Sequence, residues 1–180
     1  MPDRPEHRPV LAGNAVLQGP GIRLEPLPEG YLLHVMGAID TESLAGHLSA
    51  VGLEASTIRS AGYRQWFIAG DDALPSSRIA ALSSALQGGA FVSDQSHGRV
   101  RIGLFGPQAA ELLAKGTAVD LHPSAFSEGR STVTLFGHIT LQLTRIGADS
   151  FELTVLRSFA EALCEELEAL AVSLGAAPEL

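Results

Sequence analysis

One cysteine, one tryptophan and one lysine stand among 180 residues, and the scarcity of cysteine removes a class of function. The lone Cys164 excludes an internal disulfide and any cluster of thiolate ligands around a metal. With 12 Lys and Arg against 20 Asp and Glu, the net charge is −8 and the pI about 5.1. No basic stripe interrupts that acidity, so phosphate backbones would be repelled and nucleic-acid binding is excluded. No window approaches the run of about 18 apolar residues that crosses a bilayer. The opening MPDRPEHRPVL lacks the apolar centre of a signal peptide, and a cytoplasmic protein is expected.

Motifs are missing as well. Gly103-x-x-Gly106 and Gly88-Gly89 do not complete the Gly-x-Gly-x-x-Gly fingerprint of a dinucleotide site, and no Gly-Lys-Ser/Thr cradles phosphate. The six histidines, His7, His34, His47, His97, His122 and His138, include no pair at helical spacing for a metal. Ser96-His97 with Asp120 lacks the nucleophile elbow of a hydrolase. The chain is expected to hold no metal and no cofactor of its own.

What is present is core. The chain is 46% hydrophobic and 18% charged, enough for one compact domain or two small halves. Six of the ten prolines fall within residues 1–28. Proline has no backbone donor for a helix or a central strand, so an extended arm is expected there, laid across a partner through Val10, Leu11, Val16, Leu17, Ile22 and Leu24.

A first α+β half is expected over 29–92. YLLHVMG reads as a buried strand with His34 hydrogen-bonded in the core, and Asp40-Thr41 as the N-cap of a helix over 41–50. YRQWFIAG is a second strand; a helix runs from Pro75-Ser76-Ser77 to Gly88-Gly89, and FVSDQ is a further strand.

A second half is expected over 93–180. Val100, Ile102 and Leu104 alternate with Arg101, Gly103 and Phe105, the period of a half-buried strand. Gly106-Pro107 turns the chain into a helix carrying Leu112 and Leu113, which Gly116 would end in the left-handed conformation. Ser131–Ile146 gives two alternating runs around Gly137, and FELTVL a third. Ser158-Phe159-Ala160-Glu161 reads as a capping box. Phe159, Leu163, Leu167, Leu170 and Leu174 then mark one apolar helix face, with Cys164 buried beside it. Antiparallel hairpins rather than strict strand–helix alternation make this an α+β protein of two linked sandwich-like halves.

The chemistry-bearing residues cluster at element ends. Asp94 and Asp120 suit turn and capping roles. His97-Gly98-Arg99 has two readings: a turn with Arg99 paired to a carboxylate, or a polar contact to a partner or ligand.

An ordered series of motifs then resembles a known family. It comprises Gln65-Trp66-Phe67, Ser93–His97, Gly106-Pro107-x-Ala109-Ala110-x-Leu112-Leu113-x-Lys115-Gly116, Asp120-Leu121-His122-Pro123-x-Ala125-Phe126, Thr134-Leu135-x-Gly137-His138-Ile139 and Arg157-Ser158-Phe159-Ala160-Glu161. This series, over roughly residues 60–165, is similar to that of the gamma subunit of heterotetrameric sarcosine oxidase. The resemblance implies a fold like the folate-binding aminomethyltransferase (T protein) of the glycine cleavage system. It implies a complex that oxidatively demethylates sarcosine to glycine, passing the one-carbon unit to tetrahydrofolate and releasing hydrogen peroxide. Larger alpha and beta subunits would hold FAD, FMN and NAD, and a small delta subunit zinc. This chain would be an accessory subunit without catalytic residues. Its partner contacts would be the arm together with His97, Arg99, Asp120, His122 and Arg157.

Two alternatives stay open. A related complex oxidising another N-methyl amine could use a gamma-like subunit of this kind. A stand-alone folate-binding or one-carbon transfer protein would need an aromatic wall and a carboxylate, for which Trp66, Tyr63 and Asp94 are the candidates.

Overall fold

A computed structural model describes residues 9–11, 17–19 and 21–175. His7 and Val16 of the expected arm lie outside the described residues. Strands β1 (Leu17–Gly19), β2 (Ile22–Pro26) and β3 (Tyr31–Gly37) lead to helix α1 (Thr41–Ala50). After β4 (Ile58–Gly62) and β5 (Gln65–Gly70) come helix α2 (Ser76–Ala85), β6 (Ala90–Asp94) and β7 (Arg99–Phe105). Helix α3 (Ala109–Ala114), strands β8 (Ser131–Phe136), β9 (Ile139–Gly147) and β10 (Ser150–Leu156) and helix α4 (Ala160–Val172) complete the order.

These strands form two sheets, a four-stranded one ordered β4-β5-β3-β6 and a six-stranded one ordered β1-β2-β7-β10-β9-β8. Every pairing is antiparallel. The α+β class with two linked sandwich-like halves is what the chain adopts. The expected arm needs correction over 17–26. Residues 17–19 and 22–26 are strands of the six-stranded sheet, β2 pairing with β1 on one side and β7 on the other. Proline is tolerated because Pro26 is the last residue of β2, where a missing donor costs little.

Each sheet packs helices on one face. Leu33, Val35, Trp66 and Ile68 meet Leu44 and Leu48 of α1 and Leu82 of α2 in one core. In a second core, Ile102, Leu104, Leu141, Leu143, Leu153 and Val155 meet Leu112 and Leu113 of α3 and Leu163 and Leu167 of α4. Side chains alternate across a strand, so the intervening residues of both sheets face each other. The result is four layers: helices, sheet, sheet, helices.

That middle seam is polar. Arg101, Gln142, Thr144, Glu152 and Thr154 are buried in it, against a small apolar set of Leu32, Phe67 and Ala69. Glu152 Oε1 accepts from Arg59 Nε at 3.1 Å, Arg101 pairs with Asp71, and Gln142 Nε2 donates to the Ser60 carbonyl at 2.8 Å.

Several local expectations change. Asp40 caps α1 as expected, accepting from the Ser43 backbone N–H at 2.7 Å. The capping box at 158–161 does not form. Arg157–Phe159 is instead a short 3-10 turn, and α4 starts at Ala160 with no side-chain cap. Phe159 is therefore exposed, and the buried stripe runs through Ala160, Leu163, Cys164, Leu167 and Ala171. Gly116 is not in the left-handed region; a Cβ there would lie 2.4 Å from the Phe136 ring, so close packing is what demands glycine. Gly106 does need it: its φ is +114° and a Cβ would meet the Gly21 carbonyl oxygen at 2.3 Å.

Candidate interaction site

The polar seam opens at the end where β7 begins and β10 finishes. On the six-stranded sheet, Leu135, Thr140, Leu156 and Arg99 stand in one row across β8, β9, β10 and β7, since Leu135 is opposite Thr140 and Leu156 opposite Arg99. On the facing sheet, Arg59, Phe67, His34 and Ser93 form a row, and Gln65, Met36 and Phe91 form the next one out. The two surfaces meet where the Arg99 guanidinium lies over the Phe67 ring, 4.7 Å from its centroid. The His34 ring packs on the same phenylalanine at 4.6 Å, and His34 Nε2 donates to Gln65 Oε1 at 3.2 Å.

Burial sets the electrostatics. Desolvation holds the Arg99 guanidinium below its ordinary pKa. His34 is also lowered, first by burial and further by Arg99, against an opposing pull from its bond to Gln65. His34 is therefore neutral at pH 7. The unfolded chain binds a proton near pH 6.5 that the folded chain takes only at lower pH, so stability is present above 6.5 and lost as pH falls below it. Denaturant midpoints measured from pH 7.5 to 5 should fall for the natural chain and fall less for His34→Gln. Equal slopes would exclude His34 as a source of that loss.

The candidate contacts divide into two groups. His97, Arg99 and Arg157 share one end: Arg157 donates its backbone N–H to the Gly98 carbonyl at 3.0 Å, and its side chain lies 3.5 Å from Glu29. Among the described residues, Arg99 stacks on Phe67 rather than pairing with a carboxylate. Asp120 and His122 sit on the loop after α3, where Asp120 Oδ1 accepts from the His122 N–H at 2.9 Å and His122 Nδ1 is hydrogen-bonded to Ser124 at 2.7 Å. Arg145 ties this loop to the far end of β10 through the Leu121 carbonyl, at Phe151 rather than Leu156. Five residues of strand, about 17 Å, separate the groups.

Four members of the open face escape the sequence reading. YLLHVMG is apolar on both faces, so nothing in it shows that Leu33 and Val35 meet helices while His34 and Met36 face the other sheet. His34 is hydrogen-bonded as expected but only half-buried. Gln65 and Phe91 become site residues only through their pairing with Met36. The aromatic wall of the folate-binding alternative does not assemble. Trp66 is buried against the helices and donates Nε1–H to Thr41 at 3.1 Å, Tyr63 is 83% exposed, and Asp94 is occupied by Ser96.

A family model, sarcosine oxidase gamma subunit family, matches residues 69–171. The chain belongs to this family. That match spans β7 to β10 and α3, the elements that carry both groups of candidate contacts. Among solved structures, this gamma-family chain is similar to one from heterotetrameric sarcosine oxidase of Corynebacterium sp. U-96, with 22% identity and a TM-score of 0.78 over 97% of this chain and 99% of that one. It is also similar to the glycine cleavage system aminomethyltransferase T of Bartonella henselae, at 20% identity and a TM-score of 0.56. There the match covers 82% of this chain and 45% of the other. At 8% identity, a Clostridium acetobutylicum aspartate kinase reaches a TM-score of 0.50 over 87% of this chain and 34% of its own. These likenesses establish fold. No curated protein matches the sequence. Among the described residues no helix is long and apolar enough to cross a membrane.

Proposed function

We propose that this gamma-family chain is the accessory, non-catalytic subunit of a flavin-dependent sarcosine oxidase complex in the cytoplasm. The complex would convert sarcosine to glycine, pass the one-carbon unit to tetrahydrofolate and release hydrogen peroxide. The family match over 69–171 is the observation that carries this reading. FAD, FMN and NAD belong, on this reading, to larger alpha and beta subunits, and zinc to a small delta subunit.

Two hollows on the described residues near the seam suit those groups poorly. The cavity beside Arg99, at about 20 Å³, has room for about one water. A larger hollow of about 380 Å³ is lined by Pro9, Leu11, Pro26, Leu27, Pro28, Glu29 and Val100, with a carboxylate but no cation for a pyrophosphate. Cys164 cannot serve as a nucleophile: burial, reinforced by Glu168 and Glu165, pushes its thiol up to about 12. The proposed contacts to partner subunits are His97, Arg99 and Arg157 at one end of β10 and Asp120 and His122 at the other.

Affinity capture of the chain from its native host tests the proposal. The expected product is a yellow complex with larger subunits that consumes sarcosine and yields peroxide. A colourless chain recovered alone, titrating with tetrahydrofolate, would overturn it.

A further inference from the structure

The geometry points to the open face around Arg99 as the surface where a larger subunit seats an acidic side chain framed by apolar ones. This inference rests on the accessory-subunit reading and adds to it a location and a chemistry.

Charge complementarity carries it. The arginines deeper in the seam have acid partners within the chain, Arg59 with Glu152 and Arg101 with Asp71. Arg99 has none among the described residues. Its Nε–H is buried without a hydrogen-bond partner, and its recorded contact is the Phe67 ring. A guanidinium that has lost water and gained only a ring still has donors in a planar fork, the geometry that a carboxylate fits. The rows around it hold no acidic residue: Phe67, His34 and Ser93, then Gln65, Met36 and Phe91, with Leu156 opposite on β10. Glu29, which lines the hollow beside Arg99, is paired with Arg157 at 3.5 Å.

The frame is apolar and outward. Phe91 is 80% exposed, Leu156 41% and Met36 37%. Phe91 and Met36 are cross-strand neighbours, about 12 Å and about 8 Å from Phe67 by strand spacing, so one partner segment spans them and Arg99 together. Aromatic residues, methionine and arginine are the types enriched at the centres of protein interfaces. The hollow beside Arg99 is small and rimmed by exposed apolar side chains, which suits an acid carried on a protein surface.

The test uses the chain co-expressed with its complex. Variants Arg99→Glu, Arg99→Met and Phe91→Ser, with Arg78→Glu on α2 as a charge-matched control, are first checked for a natural thermal transition and then titrated for assembly. Arg99→Glu should weaken assembly about 100-fold or more, Arg99→Met and Phe91→Ser about 10-fold each, and Arg78→Glu not at all. Raising salt should narrow the gap between the natural chain and Arg99→Met. If Arg99→Glu and Phe91→Ser assemble like the natural chain, this surface is overturned while the accessory-subunit reading stands. If the natural chain itself captures no larger subunit, both fall.

Discussion

Glu152→Ala should destabilise the chain by about 3–5 kcal/mol, the range for breaking a buried ion pair from one side. Glu152 is 3% exposed, at the centre of the seam between the sheets. Its two oxygens face two guanidiniums, Arg59 at 3.1 Å and Arg101 at 3.9 Å. Removing the carboxylate leaves both positive charges close together in a layer with little water. Arg101 keeps Asp71, but the Asp71 side chain is mostly exposed and screened, so it offsets little of the loss. Glu152→Gln keeps the shape and one acceptor while losing the charge, and should cost about half as much. For a chain of this size the alanine variant's melting temperature should fall by about 10 °C. Urea denaturation measures the difference directly, and a loss below about 1 kcal/mol would show that water enters the seam.

Arg145→Ala should be comparably damaging for a different reason. This arginine, 3% exposed, lies on the helix side of β9 with its guanidinium 4.5 Å from the Phe151 centroid. It donates to the Ala148 carbonyl in the β9–β10 turn and to the Leu121 carbonyl at 2.5 Å in the loop after α3. One side chain thus closes two turns that the backbone does not bring together. Alanine strands two carbonyls at about 1–3 kcal/mol each, loses the ring contact and opens a void, for about 3–5 kcal/mol in all. Arg145→Lys should rescue less than half, because an ammonium cannot reach two acceptors with a planar fork. Hydrogen exchange should rise first over residues 117–130. Unchanged protection there would sink the idea that Arg145 holds this loop.

Periodicity made most of the strands readable. Ile139, Leu141 and Leu143 against Thr140, Gln142 and Thr144 showed both the strand and its two faces. What it could not show is that the polar face is covered as well. Gln142 and Thr144 look like solvent positions until a second sheet lies over them, and that sheet is specified by residues 31–94. The same blindness hid β1 and β2, because a proline such as Pro26 argues against a strand although it can close one. It also split the candidate site. Arg99 stood out as a charged strand end, whereas His34, Met36 and Phe91 became neighbours only through the pairing of β3 with β5 and β6. Asp120 and His122 looked like the companions of Arg99 because they flank the same strand–helix unit. The direction of β7 sends them to opposite ends.

The sheet order also sets a timetable for synthesis. The four-stranded sheet uses residues 31–94, a nearly contiguous stretch, and can form soon after those residues leave the ribosome. The six-stranded sheet cannot. Leu24 of β2 pairs with Leu104 of β7, so a strand made early waits for a partner 80 positions later. By then the smaller sheet, whose strands all lie between those two in the chain, can already hold the ends of that long loop near each other. The first half of the nascent chain is in this sense a jig, bringing its own opening strands to the place where the second half will be laid down.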